Sequence, residues 1–61
     1  MHTILQRISQ HLQATGTPET LFGRRAAGDP RLVGDLRNGR QPRPPLIAKI
    51  EAYIDAQERR H

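Results

Sequence analysis

Four positions near the middle of the chain have the types and spacing to recognise another molecule: Arg31, Gly34, Asp35 and Asn38. They stand at i, i+3, i+4 and i+7, so on a helix they share one face. Arginine offers a planar fork of donors, and aspartate offers acceptors. Arg31 has the geometry to bond the O6/N7 edge of a guanine, and Asp35 to accept from a cytosine amino group. Gly34 lets a helix backbone come close to a base edge. The same spacing also allows an i, i+4 ion pair in which Asp35 only orients Arg31; both readings stand. Leu32, Val33 and Leu36 fall on the other side and are expected to face a core.

The charge around these positions is one-sided. The chain has 61 residues and a net charge of +4. Between Arg24 and Arg43 six arginines face two aspartates, which accounts for the whole excess; the rest of the chain balances. A local basic surface suits a polyanion such as nucleic acid. Asn38, Arg40 and Arg43 are expected to contact phosphate at the end of the helix and in the loop after it. Arg24 and Arg25 are expected to be exposed, with a backbone contact as the alternative. Arg37 is expected to lay its stem along the core edge with its charge in solvent.

Other chemistry has little support. There is no cysteine, which removes disulfides and thiolate metal sites. His2, His11 and His61 lack metal-ligand spacing and read as surface histidines. Ser9 has no base at helical spacing, and there is no glycine-rich phosphate loop. With Phe22 and Tyr53 as the sole aromatics, a stacking platform for single strands is poorly supported. Phe22 reads as core, and Tyr53 as core or, second, as a dimer face. The chain is therefore expected not to be an enzyme, and to hold no cofactor or metal. No apolar run matches a membrane span and no signal-peptide pattern opens the chain, so a cytoplasmic location is expected.

Four helices must position these residues. Ile4, Leu5, Ile8 and Leu12 make a helical stripe over residues 2–14, which Gly16 ends. Thr17 reads as an N-cap and Pro18 as the first residue of a second helix, 18–27. Backbone N–H groups at this Thr17 start are expected to bind another phosphate. Asp29 and Pro30 repeat the punctuation for a third helix, 30–38, closed by Gly39. Pro45 starts a fourth, 45–58, with Leu46, Ile47, Ile50, Tyr53 and Ile54 facing inward; residues 59–61 are expected to fray. Leu21 and Phe22 complete the core. Gly23, in the middle of the second helix, calls for a packing reason: the third helix crosses close to it. On that view Ala is tolerated at 23 and Leu is not. The expected architecture is an all-α, compact four-helix domain with a central helix-turn-helix, one domain over 1–61.

The segment TPETLFGRRAAGDPRLVGDLRNG, residues 17–39, resembles the Cro/CI-type (XRE-like) helix-turn-helix DNA-binding domains of phage repressors and bacterial regulators. Gly23 stands at the small position of helix two, followed by the Val33-x-x-Leu36-x-Asn38-Gly39 ending. Arg40-Gln41-Pro42 and a helix with Leu46, Ile47, Ile50 and Ile54 come next. The resemblance implies a recognition helix that enters the major groove. Two positions depart from the family. Glu19 replaces a frequent glutamine that grips phosphate, and an acid there repels one. Pro30 replaces a frequent polar base reader, which shifts readout to Arg31 and Asp35.

Sequence-specific binding of double-stranded DNA by a transcriptional regulator, a repressor by preference, is the expected function. Cro-like switches, antitoxin-type autorepressors and mobile-element regulators all fit so minimal a plan. Regulation by protein abundance, by a regulatory protein partner or by a homodimer on two half-sites all fit this plan, and the sequence does not choose among them; no membrane association is expected. Non-specific nucleoid binding fits less well, because Asp35 lies on the reading face. The alternative from another class is a protein-interaction module of the same fold that binds an acidic partner.

Overall fold

The computed structural model of the chain describes residues 3–59. It contains four helices, α1 (Ile4–Thr15), α2 (Glu19–Ala27), α3 (Leu32–Arg37) and α4 (Pro44–Glu58), and no strand among the described residues. The chain is an all-α four-helix protein of 32 × 22 × 21 Å.

α1 begins one residue after Thr3, which caps it. The Gln6 N–H donates to the Thr3 hydroxyl, and the Thr3 N–H donates to the Gln6 side-chain oxygen, each at 3.1 Å. This reciprocal capping box satisfies two donors that the first turn leaves free. The expected start at His2 lies outside the described residues. Gly16 closes α1 at φ 70°, with its N–H on the Leu12 carbonyl, a conformation that glycine adopts at little cost.

α2 starts at Glu19, one residue later than expected, and its cap is Pro18. Thr17 does not cap it. Its hydroxyl lies 2.8 Å from that of Thr15, whose own O–H donates to the His11 carbonyl. With the helix beginning one residue later, Pro18 takes the cap position and Thr17 stands before it.

α3 has six residues against the nine expected. Asp29 keeps a capping role, but on the turn that leads into the helix: its carboxylate accepts from the Arg31 N–H at 2.9 Å, and its carbonyl from Leu32 N–H at 3.1 Å. Pro30 and Arg31 form that turn, and Asn38 ends the helix. α4 opens on Pro44, one residue early, with the Arg43 carbonyl accepting from Leu46 and Ile47. Of the expected frayed tail only Arg59 is described, as the turn that closes α4; Arg60 and His61 lie outside the described residues.

One core joins all four helices. Ile8, Leu12, Phe22, Ala26, Leu32, Val33, Leu36, Ile50 and Ile54 are buried, and Ile4, Leu5, Leu46 and Tyr53 pack against them. Leu21 and Ile47, expected in the core, are half-buried and outside this cluster. His11 corrects the reading of a surface histidine: it is 6% exposed. Its ring sits 5.7 Å from Phe22 and 6.5 Å from Tyr53, and Phe22 meets Tyr53 edge-on at 5.5 Å. Tyr53 thereby belongs to the packing of the core. Arg7 ties α1 to α4 through Glu51, at 3.0 Å, and Asp55. No helix of the described residues is long and apolar enough to cross a membrane.

Candidate nucleic-acid interface

α2 and α3 lie against each other and are joined by a short turn, and the contact is close enough to involve backbone. The Asp29 N–H donates to the Gly23 carbonyl at 3.1 Å. A Cβ at 23 would overlap the Asp29 carbonyl oxygen and approach Leu32 Cβ to 3.2 Å. Gly23 therefore has the packing reason expected of it. The tolerance expected for alanine is corrected, because the obstacle is backbone and cannot rotate away.

This packing fixes which side of α3 faces out. Leu32, Val33 and Leu36 are buried. Arg31, Gly34 and Asn38 are exposed and Asp35 is half-buried. The four thus share an outer face. Arg31 stands at the cap of α3 and Asn38 just beyond its end, so the regular helix between them is short. Nothing lies within 4 Å of the place where a Gly34 Cβ would stand; this side of α3 is open to an approaching surface.

The charges on this face are wired differently from the i, i+4 pair. Asp35 pairs with Arg40, not with Arg31. The Arg40 guanidinium spans two carboxylates, 3.3 Å from Asp29 Oδ2 and 3.4 Å from Asp35 Oδ2. The Arg40 N–H also donates to the Asp35 carbonyl at 2.9 Å, so main chain and side chain both hold the loop against α3. Among the described residues Arg24, Arg25, Arg31 and Arg43 make no ion pair, and all four are exposed. They leave four positive charges at the end of α2, at the start of α3 and in the loop before α4.

A second pair lies at the other edge. Arg37 meets Glu19 at 2.7 Å, which links the end of α3 to the first turn of α2. This corrects the reading of Arg37 as a charge left to solvent. It also changes the account of Glu19: the acid has a positive partner beside the helix start. Thr17 lies before the cap and lines the same shallow hollow as Ser9, Gln13, Glu19 and Arg37. The free N–H groups of α2 belong to Glu19, Thr20 and Leu21, two to four residues after Thr17.

The residues expected to contact a nucleic acid thus fall in three places. Arg31, Gly34, Asp35, Asn38 and Arg40 come together around α3. Arg43 stands at the cap of α4, and Thr17 lines a hollow with Glu19 and Arg37. Asp29 and Glu19 were absent from the expected site. Their roles come from contacts 11 and 18 residues apart, which no helical spacing announces. No group of three or more potential metal ligands occurs among the described residues. Comparison with family models, with curated proteins and with solved structures gives no match to the chain.

Proposed function

We propose that the chain is a sequence-specific double-stranded DNA-binding protein, a transcriptional regulator that reads the major groove with α3. One observation carries this reading. A helix held by Leu32, Val33 and Leu36 turns a face of Arg31, Gly34, Asp35 and Asn38 outward, and among the described residues Arg24, Arg25 and Arg43, in the elements next to it in the chain, are exposed and unpaired. A short helix with mixed donors and acceptors suits base edges, and flanking arginines suit phosphate. The resemblance of residues 17–39 to Cro/CI-type domains supports the same reading. In it Arg31 bonds a guanine edge, Asp35 accepts from a base amino group, and Arg43 and Asn38 contact backbone. The reading carries with it a cytoplasmic location, with the DNA, and it asks for no catalysis and no cofactor.

A selection from random double-stranded DNA tests it, with wild type and Arg31→Ala in parallel. Enrichment of a defined site by wild type, relaxed at one or two positions in the variant, is the expected outcome. A two-fold symmetric site would further indicate a dimer on two half-sites. If wild type enriches nothing and fails to bind duplex even at low salt, the DNA reading falls and a role in protein contact takes its place.

A further inference from the structure

An acid on a DNA-reading face is a liability unless something offsets it. Asp35 stands on the face a duplex would approach, Asp29 lies in the turn before it, and phosphates repel carboxylates. Arg40 lies between the two, with one guanidinium nitrogen in reach of both. Its own N–H is tied to the Asp35 carbonyl. A side chain held in this way is poorly placed to serve as a phosphate contact, and well placed to govern Asp35.

We propose that Arg40 is a positioning residue for base readout by Asp35. It neutralises the aspartate and binds Oδ2, which leaves Oδ1 to accept from a base amino group. Arg40 then acts through Asp35, as an offset to local charge and as a brace on the carboxylate plane. A single guanidinium nitrogen reaches both carboxylates, and the planar group fixes the direction of its N–H bonds, which the rotating, more strongly hydrated ammonium of lysine does not. This inference rests on the DNA reading above and assigns the source of specificity within it.

The test is a double-mutant cycle on purified protein: wild type, Arg40→Ala, Asp35→Asn and the pair. Asp35 is the partner to vary, because Asp29 also accepts from the Arg31 N–H, and its loss would disturb the turn. Affinity is measured for the selected site and for a scrambled duplex, and base preference is read by repeating the selection. Helical content and melting are followed for each variant. Arg40→Ala is expected to weaken binding about tenfold and to blur the same base position as Asp35→Asn. In the Asp35→Asn background the second change should cost about threefold or less, since neighbours in one ion-pair network do not add. Arg40→Lys keeps the charge. It should hold affinity for the scrambled duplex while losing discrimination at that base position, and it serves if Arg40→Ala does not fold.

Full additivity, with a salt slope reduced by about one in both backgrounds, would make Arg40 an ordinary phosphate contact and overturn the inference while the DNA reading stands. Wild-type discrimination in Arg40→Lys would overturn it too. A wild type that selects no duplex removes both the reading and the inference.

Discussion

The Arg37 guanidinium lies 2.7 Å from the Glu19 carboxylate and joins the last residue of α3 to the first of α2. Both side chains are about half exposed, at 51% and 43%, so water screens the attraction and it contributes at most about 1 kcal/mol. Its larger consequence is for the local field. Glu19→Gln releases Arg37 and removes one negative charge from the edge of the proposed interface. Urea denaturation should show a change within about 1 kcal/mol. Duplex affinity at low salt should rise a few-fold, and the salt dependence should steepen by about one. A fall in affinity would mean that Glu19 takes part in binding directly.

Gly23 and Gly34 sit in neighbouring helices and should respond in opposite ways to alanine. A Cβ at 23 meets the Asp29 carbonyl, and relief requires the α2–α3 turn to move. Gly23→Ala is expected to cost about 1–3 kcal/mol, the range of an overfilled site. At 34 the space is open, and alanine gains helix propensity of up to about 1 kcal/mol. The same methyl would stand between α3 and a base edge, so Gly34→Ala should melt no lower than wild type and yet bind the selected site less well. Equal melting temperatures for the two variants would remove the backbone-contact argument for Gly23.

The difference between these glycines shows what the sequence could carry. Helix number and most of the inward positions were legible, because Ile4, Ile8 and Leu12, or Val33 and Leu36, repeat at helical spacing, and Gly16, Gly28 and Gly39 stop the chain where φ turns positive. The outer face of α3 followed from the same periodicity. His11 was misread although it lies on the stripe of Ile8 and Leu12; three residues past Ile8, it had to point the same way. Thr3 and Gln6 hold the spacing of a capping box and were legible but passed over. The partners of Arg37 and Arg40 were not legible. Long flexible side chains choose among several carboxylates only once tertiary contacts have set the distances, and Arg31, at i, i+4 from Asp35, has the spacing of a helical ion pair that Arg40 lacks.

Thr3 and Thr17 both precede a helix, and only one of them caps it. Thr3→Ala removes an acceptor from the Gln6 N–H and undoes the reciprocal bond. A loss of about 1 kcal/mol is expected. Thr17→Ala removes an exposed hydroxyl–hydroxyl contact with Thr15 and no cap, so its effect should stay within about 0.5 kcal/mol. Chemical denaturation followed by helical circular dichroism separates the two. A larger loss at Thr17 would show that α2 is capped from that position in solution.

The aromatic cluster gives the sharpest test of the core. Phe22 is fully buried and meets His11 of α1 and Tyr53 of α4, so a single ring in α2 joins three helices. Phe22→Ala loses the tilted contact with His11 and the edge-on contact with Tyr53 and leaves a void in the core. The expected cost is about 3–5 kcal/mol, a large part of the roughly 5–15 kcal/mol that holds a small domain together. Tyr53→Phe keeps the ring and its edge-on contact with Phe22 and should shift stability by no more than about 0.5 kcal/mol. Tyr53 is the only tyrosine and the chain has no tryptophan, so its emission reports on this cluster alone, while circular dichroism reports on all four helices. In wild type the two signals should change together on urea titration, as one cooperative core requires. If emission changes well before helicity, the ring cluster opens by itself and α4 is held by the Arg7 contacts instead.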